Sequence, residues 1–482
     1  MSSAFSTSDS IEKNKCGSIT EYQLLSEIWN DQQRDRCLRW IEKSHLKRIA
    51  LQFPDNLLRY SVQMVTEVQT LLTEDVSIFV LGDTSYGSCC VDEIAASHAT
   101  ADGIIHFGHA CLSKVAKIPV LYIFLNLTLN QDHLLDALSK TFPDQHSQFT
   151  CFYDVGYSNA VTEMKATLVN RFPLMKMAVL ADTDEEPDVL CWKFDTPHVS
   201  DCPAVYIGKD NLSFFNTAVA LTTSQWYLYD PNRESSQLEA TDAVGAKWLR
   251  RRYYAIERCK DAGSIGIVVA TLSTRGYLEI VSRIQRLAKA HGVRTYIISI
   301  GKVNPEKLAN FIDIDCFVLV GCPENDTFTS RDTFFRPLVS VFEAEMALNP
   351  AWREKLCLSY TINFADLLPS GRLHSDVEEV AAMVKAENDT PDVSLITGRT
   401  RGARKPQDTE GTEPAVKDPE AAECSDVVPK GKNELAHISS ADYFSNRSWQ
   451  GLQQNLGQDE PVLIEEGRSG LPIKYENDPS SS

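Results

Sequence analysis

Thirteen cysteines are spread along 482 residues, and three of them crowd into one stretch with three histidines. Gly82–Lys114 reads GDTSYGSCCVDEIAASHATADGIIHFGHACLSK and carries Cys89, Cys90 and Cys111 beside His98, His106 and His109. Thiolates are soft ligands that hold iron–sulfur clusters and zinc, whereas imidazole favours zinc. A further thiol, Cys322, lies in VLVGCPEN, just past another apolar run. No C-x₂-C or C-x₃-C-x₂-C run occurs, so no single loop can hold a cluster. Ligands would have to converge from separated loops.

Cys89 and Cys322 make the best pair, because both follow the carboxyl end of an apolar strand, where open α/β sheets place ligands. Cys316 lies earlier on the same run as Cys322, roughly 20 Å away at about 3.3 Å per residue, so it belongs to the strand's other end. Cys90 falls at the start of the next helix. Adjacent residues rarely face one metal, so it is expected to pack into that helix. Cys111 ends a strand-and-loop unit, GIIHFGHAC, which completes the candidate thiols as Cys89, Cys111 and Cys322. The rival on the same stretch is zinc held by His106, His109, Cys111 and Cys89. That spacing matches no zinc module, and His106 falls within a strand. Most other cysteines read as small buried hydrophobes.

These side chains need elements to position them. Ser18 to Ser44 has helical spacing with Thr20 as N-cap. A first α/β module follows, with strands expected at Arg48–Gln52, Val76–Leu81, Gly103–His106 and Val120–Phe124, and helices at Asn56–Leu72, Val91–His98 and Gln131–Leu138. A second has strands at Phe149–Tyr153, Met177–Ala181, Ala204–Ile207 and Trp226–Tyr229, and helices at Val161–Arg171 and Gly245–Arg258. A third runs through Ile265–Ala270, a helix Tyr277–His291, Thr295–Ile300, a helix Pro305–Phe311 and Phe317–Val320. Strands spaced by helical patterns imply mostly parallel sheets. Each module has an apolar strand ending in a glycine-led loop, VLGDTSYGSCC, VYIGKDN and VLVGCPEN, at near-equal spacing along the chain. The expected fold is therefore α/β, with three related domains around a shared central site. The domains are placed at 18–145, 146–262 and 263–384. A disordered linker is expected over 385–440, with Arg399–Lys405 a solvated cluster, and a tail over 441–482 whose aromatics dock on the core or on a partner.

Composition narrows the function classes. A net charge of −19 argues against a nucleic-acid binder. The first residues lack the apolar core of a signal peptide, and Ile118–Leu127 is about half of a membrane span, so a cytoplasmic protein is expected. In that compartment the cysteines are not a disulfide framework. No Walker or G-x-S-x-G motif occurs. Ser273–Gly276 (STRG) reads either as a helix cap or as a small anion cradle. The acidic pairs Asp92–Glu93 and Glu343–Glu345 read as solvated or capping charges.

The stretch GDTSYGSCCVDEIAASHATADGIIHFGHACLS closely resembles the first-domain signature of the diphthamide biosynthesis family. VGCPEN, FFRPLVSVFEAEMALNP, YFSNRSWQGLQQNLG and EEGRSGLPIKYE extend the resemblance over about 20–478, and the tail and second domain point to its eukaryotic accessory-subunit branch. The resemblance implies three α/β domains around a 4Fe–4S cluster and a heterodimer with diphthamide biosynthesis protein 1. That complex would transfer a 3-amino-3-carboxypropyl group from S-adenosylmethionine to a histidine of translation elongation factor 2. Catalytic members place one cysteine per domain, the second in a GC motif. Here Gly208-Lys209 stands at that place, which breaks the set. The resemblance then implies Cys89, Cys111 and Cys322 as metal ligands and no catalytic residue of the chain's own. It also implies a redox role that helps reduce the partner's cluster, fed by diphthamide biosynthesis protein 3. A scaffold without redox function is the alternative.

Overall fold

A computed structural model describes residues 29–401, except 73–74, 83–86, 116, 182–184, 195–201, 222, 234–236, 243–245, 326, 328–333, 353–359, 388–391 and 399, together with 470–471 and 474–475. The helix Asp31–Lys43 opens the described chain, capped by Asn30, whose side chain accepts from Gln33 N. The expected Thr20 cap lies outside the described residues.

The first sheet contains β1 (Arg48–Gln52), β2 (Ser77–Val80), β3 (Gly103–Phe107) and β4 (Val120–Ile123) in the order β2-β1-β3-β4, all parallel. Next come β5 (Thr150–Tyr153), β6 (Lys176–Met177), a separate hairpin of β7 (Val179–Leu180) and β8 (Trp192–Lys193), then β9 (Ala204–Ile207), β10 (Trp226–Tyr229) and β11 (Glu239–Thr241). The second sheet runs β6-β5-β9-β10-β11, and within it only β11 is antiparallel. The third holds β12 (Ser264–Val269), β13 (Arg294–Ser299), β14 (Cys316–Val320) and β15 (Leu338–Ser340) in the order β13-β12-β14-β15, again all parallel. In each sheet the first strand pairs with the second on one side and the third on the other, and the fourth lies outside the third. One topology is repeated three times. Loops at the carboxyl ends of first and third strands form the switch point where such sheets bind ligands.

Strand composition reflects burial. Every residue of β3, β12 and β14 is buried, because helices cover both faces, so these strands read as continuous apolar runs rather than alternating ones. On one face of the third sheet Ile265, Ile267, Val318 and Val320 pack with Ile284 and Leu287 of the helix Tyr277–Ala290. Val268, Phe317 and Leu319 point to the other face with Leu308. Each such aliphatic side chain contributes about 1.5–3 kcal/mol when fully buried.

Several expectations need correction. The helix expected at Asn56–Leu72 is two helices, Asp55–Leu58 and Ser61–Leu71. Met177–Ala181 is not one strand: β6 ends at Met177 and β7 leaves to pair with β8. The acidic pairs, expected as solvated or capping charges, are capping or buried ones and not solvated. Asp92 caps the helix Glu93–His98, and Glu93 is buried, accepting from the amides of Lys117 and Ile118. Glu343 forms a capping box with Ser340 at the start of the wholly buried helix Val341–Leu348 and pairs with Arg252, while Glu345 pairs with Arg283.

The linker expected from residue 385 also starts too early. Asp392–Val393 and Thr400–Arg401 form a hairpin, and Arg401, expected in a solvated cluster, pairs with Glu257, Asp261 and Asp392. Arginine offers a fork of donors that can serve several carboxylates at once. Residues 402–469, with most of the expected linker and tail, lie outside the described residues. The far end of the chain contains an antiparallel pairing of Gly470–Leu471 with Lys474–Tyr475. No helix among the described residues is long and apolar enough to cross a membrane.

Candidate metal centre

Loops leaving the carboxyl ends of the strands build the centre. After the third strand of each sheet the chain reads Phe107-Gly108-His109, Ile207-Gly208-Lys209 and Val320-Gly321-Cys322. These are the equivalent loops. Spacing along the sequence instead matches the loop after β2, which carries Cys89, with the loops after β9 and β14. An apolar strand closed by glycine looks the same whether it is second or third in a sheet, and only strand order separates the two. Gly108 lies at φ +89°, and a Cβ there would come within 3.0 Å of Pro54 Cγ. A side chain would be strained in that turn and would crowd Pro54.

Four sulfurs converge: those of Cys89, Cys90, Cys111 and Cys322 all lie within 4.8 Å of one another. Cys90 Sγ is 4.0 Å from Cys89 Sγ and 3.9 Å from Cys111 Sγ. The expected three thiols are thus brought together with a fourth, Cys90, that the sequence pattern assigns to a helix. The helix begins only at Glu93, so Cys90 precedes it. A tight turn, with Cys90 N bonding Gly87 O at 3.0 Å, lets neighbouring residues reach one point. Gln52, the last residue of β1, fixes this turn by donating to Cys90 O at 2.8 Å and accepting from Asp92 N at 2.9 Å. The Cys111 loop is laced to it through Cys111 N to Cys89 O at 3.2 Å. The signal that could have found Cys90 was the turn-forming Gly-Ser before the Cys-Cys pair.

The cage is nearly dry, with Cys90 and Cys322 buried and Cys89 and Cys111 partly so. Hydrogen bonding from Cys322, then from Cys89 and Cys90, holds the Cys111 thiol well below its usual range. The same contact with Cys111 pushes Cys89 and Cys90 well above theirs. Close thiols stabilise one thiolate among them, so a cation would displace the remaining protons on binding. All donors in the group are thiols, which fits an iron–sulfur cluster or a four-thiolate zinc site and not a hard cation.

The mixed zinc set is not assembled. His106 Nε2 lies 3.2 Å from Ser88 O, and His109 Nε2 lies 2.6 Å from Glu324 Oε2. Neither ring belongs to the group of sulfurs. Burial drives the His106 imidazole down to about 4, so it is neutral near pH 7 and its Nε2–H donates to Ser88. His109 takes the opposite course. Burial disfavours its charge, but the carboxylates of Glu324 and Asp154 outweigh that and raise it to about 10. His98 ends the helix Glu93–His98, away from the group. Cys316 opens β14, at the end opposite Cys322. Ser273–Gly276 leads into the helix Tyr277–Ala290, with Gly276 at its N-cap.

Ser213 Oγ lies 3.4 Å from His109 Nε2, and Asp154 Oδ1 lies 3.9 Å from His109 Nδ1. This resembles a nucleophile–base–orienter series. It cannot act as one, because Glu324 holds Nε2 and also accepts the Ser213 proton at 2.8 Å. None of Glu324, Ser213 and Asp154 was singled out from sequence.

A parallel α/β topology repeated three times, with strand-end loops that gather four thiols able to hold a metal ion, defines the class of protein. A family model described as putative diphthamide synthesis protein matches residues 53–394. The chain is 32% identical to 2-(3-amino-3-carboxypropyl)histidine synthase subunit 2 of Danio rerio, over 99% of this chain and 98% of that protein. The protein of the same name from Xenopus laevis is 34% identical over 92% and 91%, and that of Schizosaccharomyces pombe 32% over 92% and 89%. Among solved structures, Dph2 from Pyrococcus horikoshii with a 4Fe-4S cluster shares the fold at a TM-score of 0.53 and 20% identity, covering 68% of this chain and 92% of that one. This chain belongs to the diphthamide synthesis family.

Proposed function

We propose that the chain is the iron–sulfur accessory subunit of the complex that transfers a 3-amino-3-carboxypropyl group from S-adenosylmethionine to a histidine of translation elongation factor 2. The observation that carries this reading is the cage of four thiols, supplied by the first and third sheets, with Lys209 at the equivalent place in the second. The names of the relatives and the 4Fe-4S cluster of the Pyrococcus horikoshii protein support it. Cys89, Cys111 and Cys322 are the ligands, and Cys90 is a fourth thiol within reach. A bound 4Fe–4S cluster would supply one-electron chemistry. With Cys90 bound as well, four thiols would leave no position open for a substrate, which favours electron relay over cleavage of S-adenosylmethionine in this chain. The turn at Cys89-Cys90 and the loops of Cys111 and Cys322 hold the sulfurs and exclude water. Diphthamide biosynthesis protein 1 would then be the catalytic partner and diphthamide biosynthesis protein 3 the electron donor.

The test is anaerobic purification with a partner stripped of its own cluster cysteines, followed by iron and sulfide assay and EPR after dithionite reduction. Iron and sulfide lost on Cys89→Ser or Cys322→Ser would support the relay. Zinc without sulfide would overturn it in favour of a four-thiolate structural site. A folded, metal-free subunit that still sustains transfer would make the chain a scaffold.

A further inference from the structure

The second sheet brings no thiol to the cage, yet one of its helices holds the loop of Cys322. Leu212–Ala220 follows β9 and is capped by Asn211, whose Oδ1 accepts from Phe214 N at 3.0 Å. The Asn211 amide also donates to Asp154 Oδ2 at 2.8 Å, tying the cap to the end of β5. From the first turns of this helix Ser213 donates to Glu324 Oε1 at 2.8 Å, and Asn216 donates to the carbonyl of Pro323 at 2.7 Å. Pro323 and Glu324 directly follow Cys322, and Asn216 is 3% exposed. The other Glu324 oxygen bonds His109, two residues before Cys111. Spacing of three places Ser213 and Asn216 on one face of the helix, so both side chains reach the same loop.

We propose that the helix Leu212–Ala220 is the positioning element for Cys322: Ser213 and Asn216 clamp the Cys322-Pro323-Glu324 segment and, through Glu324 and His109, lock it to the loop of Cys111. The module that brings no thiol to the cage still contributes, by setting where the third module's thiol stands. Geometry selects these residues from their neighbours. Thr217, on the same helix, donates instead to Ser213 O at 2.8 Å and lies against Trp192, contacts that stay within the second module. A buried donor removed from a carbonyl leaves that carbonyl unpaired, and a loop so released no longer has one conformation. The consequences for a cluster rest on the function proposed above, whereas the clamp itself does not.

Two measurements on the full chain separate them. With iron and sulfide loaded anaerobically, Ser213→Ala and Asn216→Ala should release iron to a chelator on the order of tenfold faster than the parent. Both should also alter the EPR signature of the reduced cluster. Ser213→Thr, which keeps the hydroxyl, should restore both readouts, and Thr217→Val should lower thermal stability without moving either. In the metal-free chain, alkylation of Cys322 relative to Cys89, read by mass spectrometry, should rise in the two alanine variants. Parent-like Cys322 alkylation in both variants would overturn the clamp, whatever the cluster does. A parent chain that takes up no iron would sink the cluster reading alone, because thiol reactivity still decides the clamp.

Discussion

At the scale of single residues, Cys90 decides whether the cage offers three thiols or four. With three thiols, an iron–sulfur cluster would keep one open position; with four, it would be closed. Cys90→Ala should therefore leave iron bound but change the reduced EPR spectrum, and a spectrum unchanged from the parent would remove Cys90 from the ligand set. His106 gives a pH prediction. Its folded value is about 4 against an ordinary 6.5, so the unfolded chain binds this proton first as pH falls. The contribution of His106 to stability is full above pH 6.5, is lost between 6.5 and about 4, and levels off below that. The loss amounts to about 3 kcal/mol. His106→Gln keeps a donor for Ser88 O without a titrating ring, and should flatten this part of the unfolding-versus-pH curve measured by denaturant titration.

The helix Val341–Leu348 shows, at the scale of elements, how local signals and burial disagree. Its sequence, VFEAEMAL, carries two carboxylates, yet all eight residues are buried. The carboxylates survive there only because Arg252 and Arg283 reach them from flanking helices and Tyr360 Oη and Asn349 Nδ2 complete their hydrogen bonds. Arg283→Met would strand the Glu345 carboxylate and should destabilise the fold by about 3–5 kcal/mol. Replacing both partners, Arg283→Met with Glu345→Met, should recover most of that, because two apolar side chains need no counter-charge. Guanidinium unfolding of the single and double variants checks this. A double variant as unstable as the single one would mean that the pair does more than neutralise itself.

For the whole molecule, the cage joins the first and third sheets across a long stretch of chain. A group bound only by the folded state stabilises it by mass action. Removing iron from the loaded protein should therefore lower the thermal midpoint by several degrees, and a variant lacking all four thiols should show no such difference. Equal midpoints with and without metal would mean that the sheets are held by packing and by the polar contacts of His109, Glu324 and Asn216 alone.

The amino-acid sequence by itself determined much of the architecture. Buried parallel strands are continuous apolar runs, so β1, β9 and β10 are legible to the residue, and β3, β12 and β14 within a residue or two. It also determined that Cys89, Cys111 and Cys322 sit past strand ends, because the glycine that closes each loop is visible. Tertiary structure decided the rest. Whether a glycine-closed strand is second or third in its sheet depends on pairing, so the equivalence of His109, Lys209 and Cys322 could not be read from spacing. Leu212–Ala220 escaped because LSFFNTAVA has apolar and polar residues on all sides, and two of its polar ones, Ser213 and Asn216, find partners in another module. Cys90 escaped because a turn, not a helix, follows Gly87. Periodicity reports only what one element shows to its surroundings, whereas a site made from separate modules depends on which loops meet, and that is set by how the sheets pack.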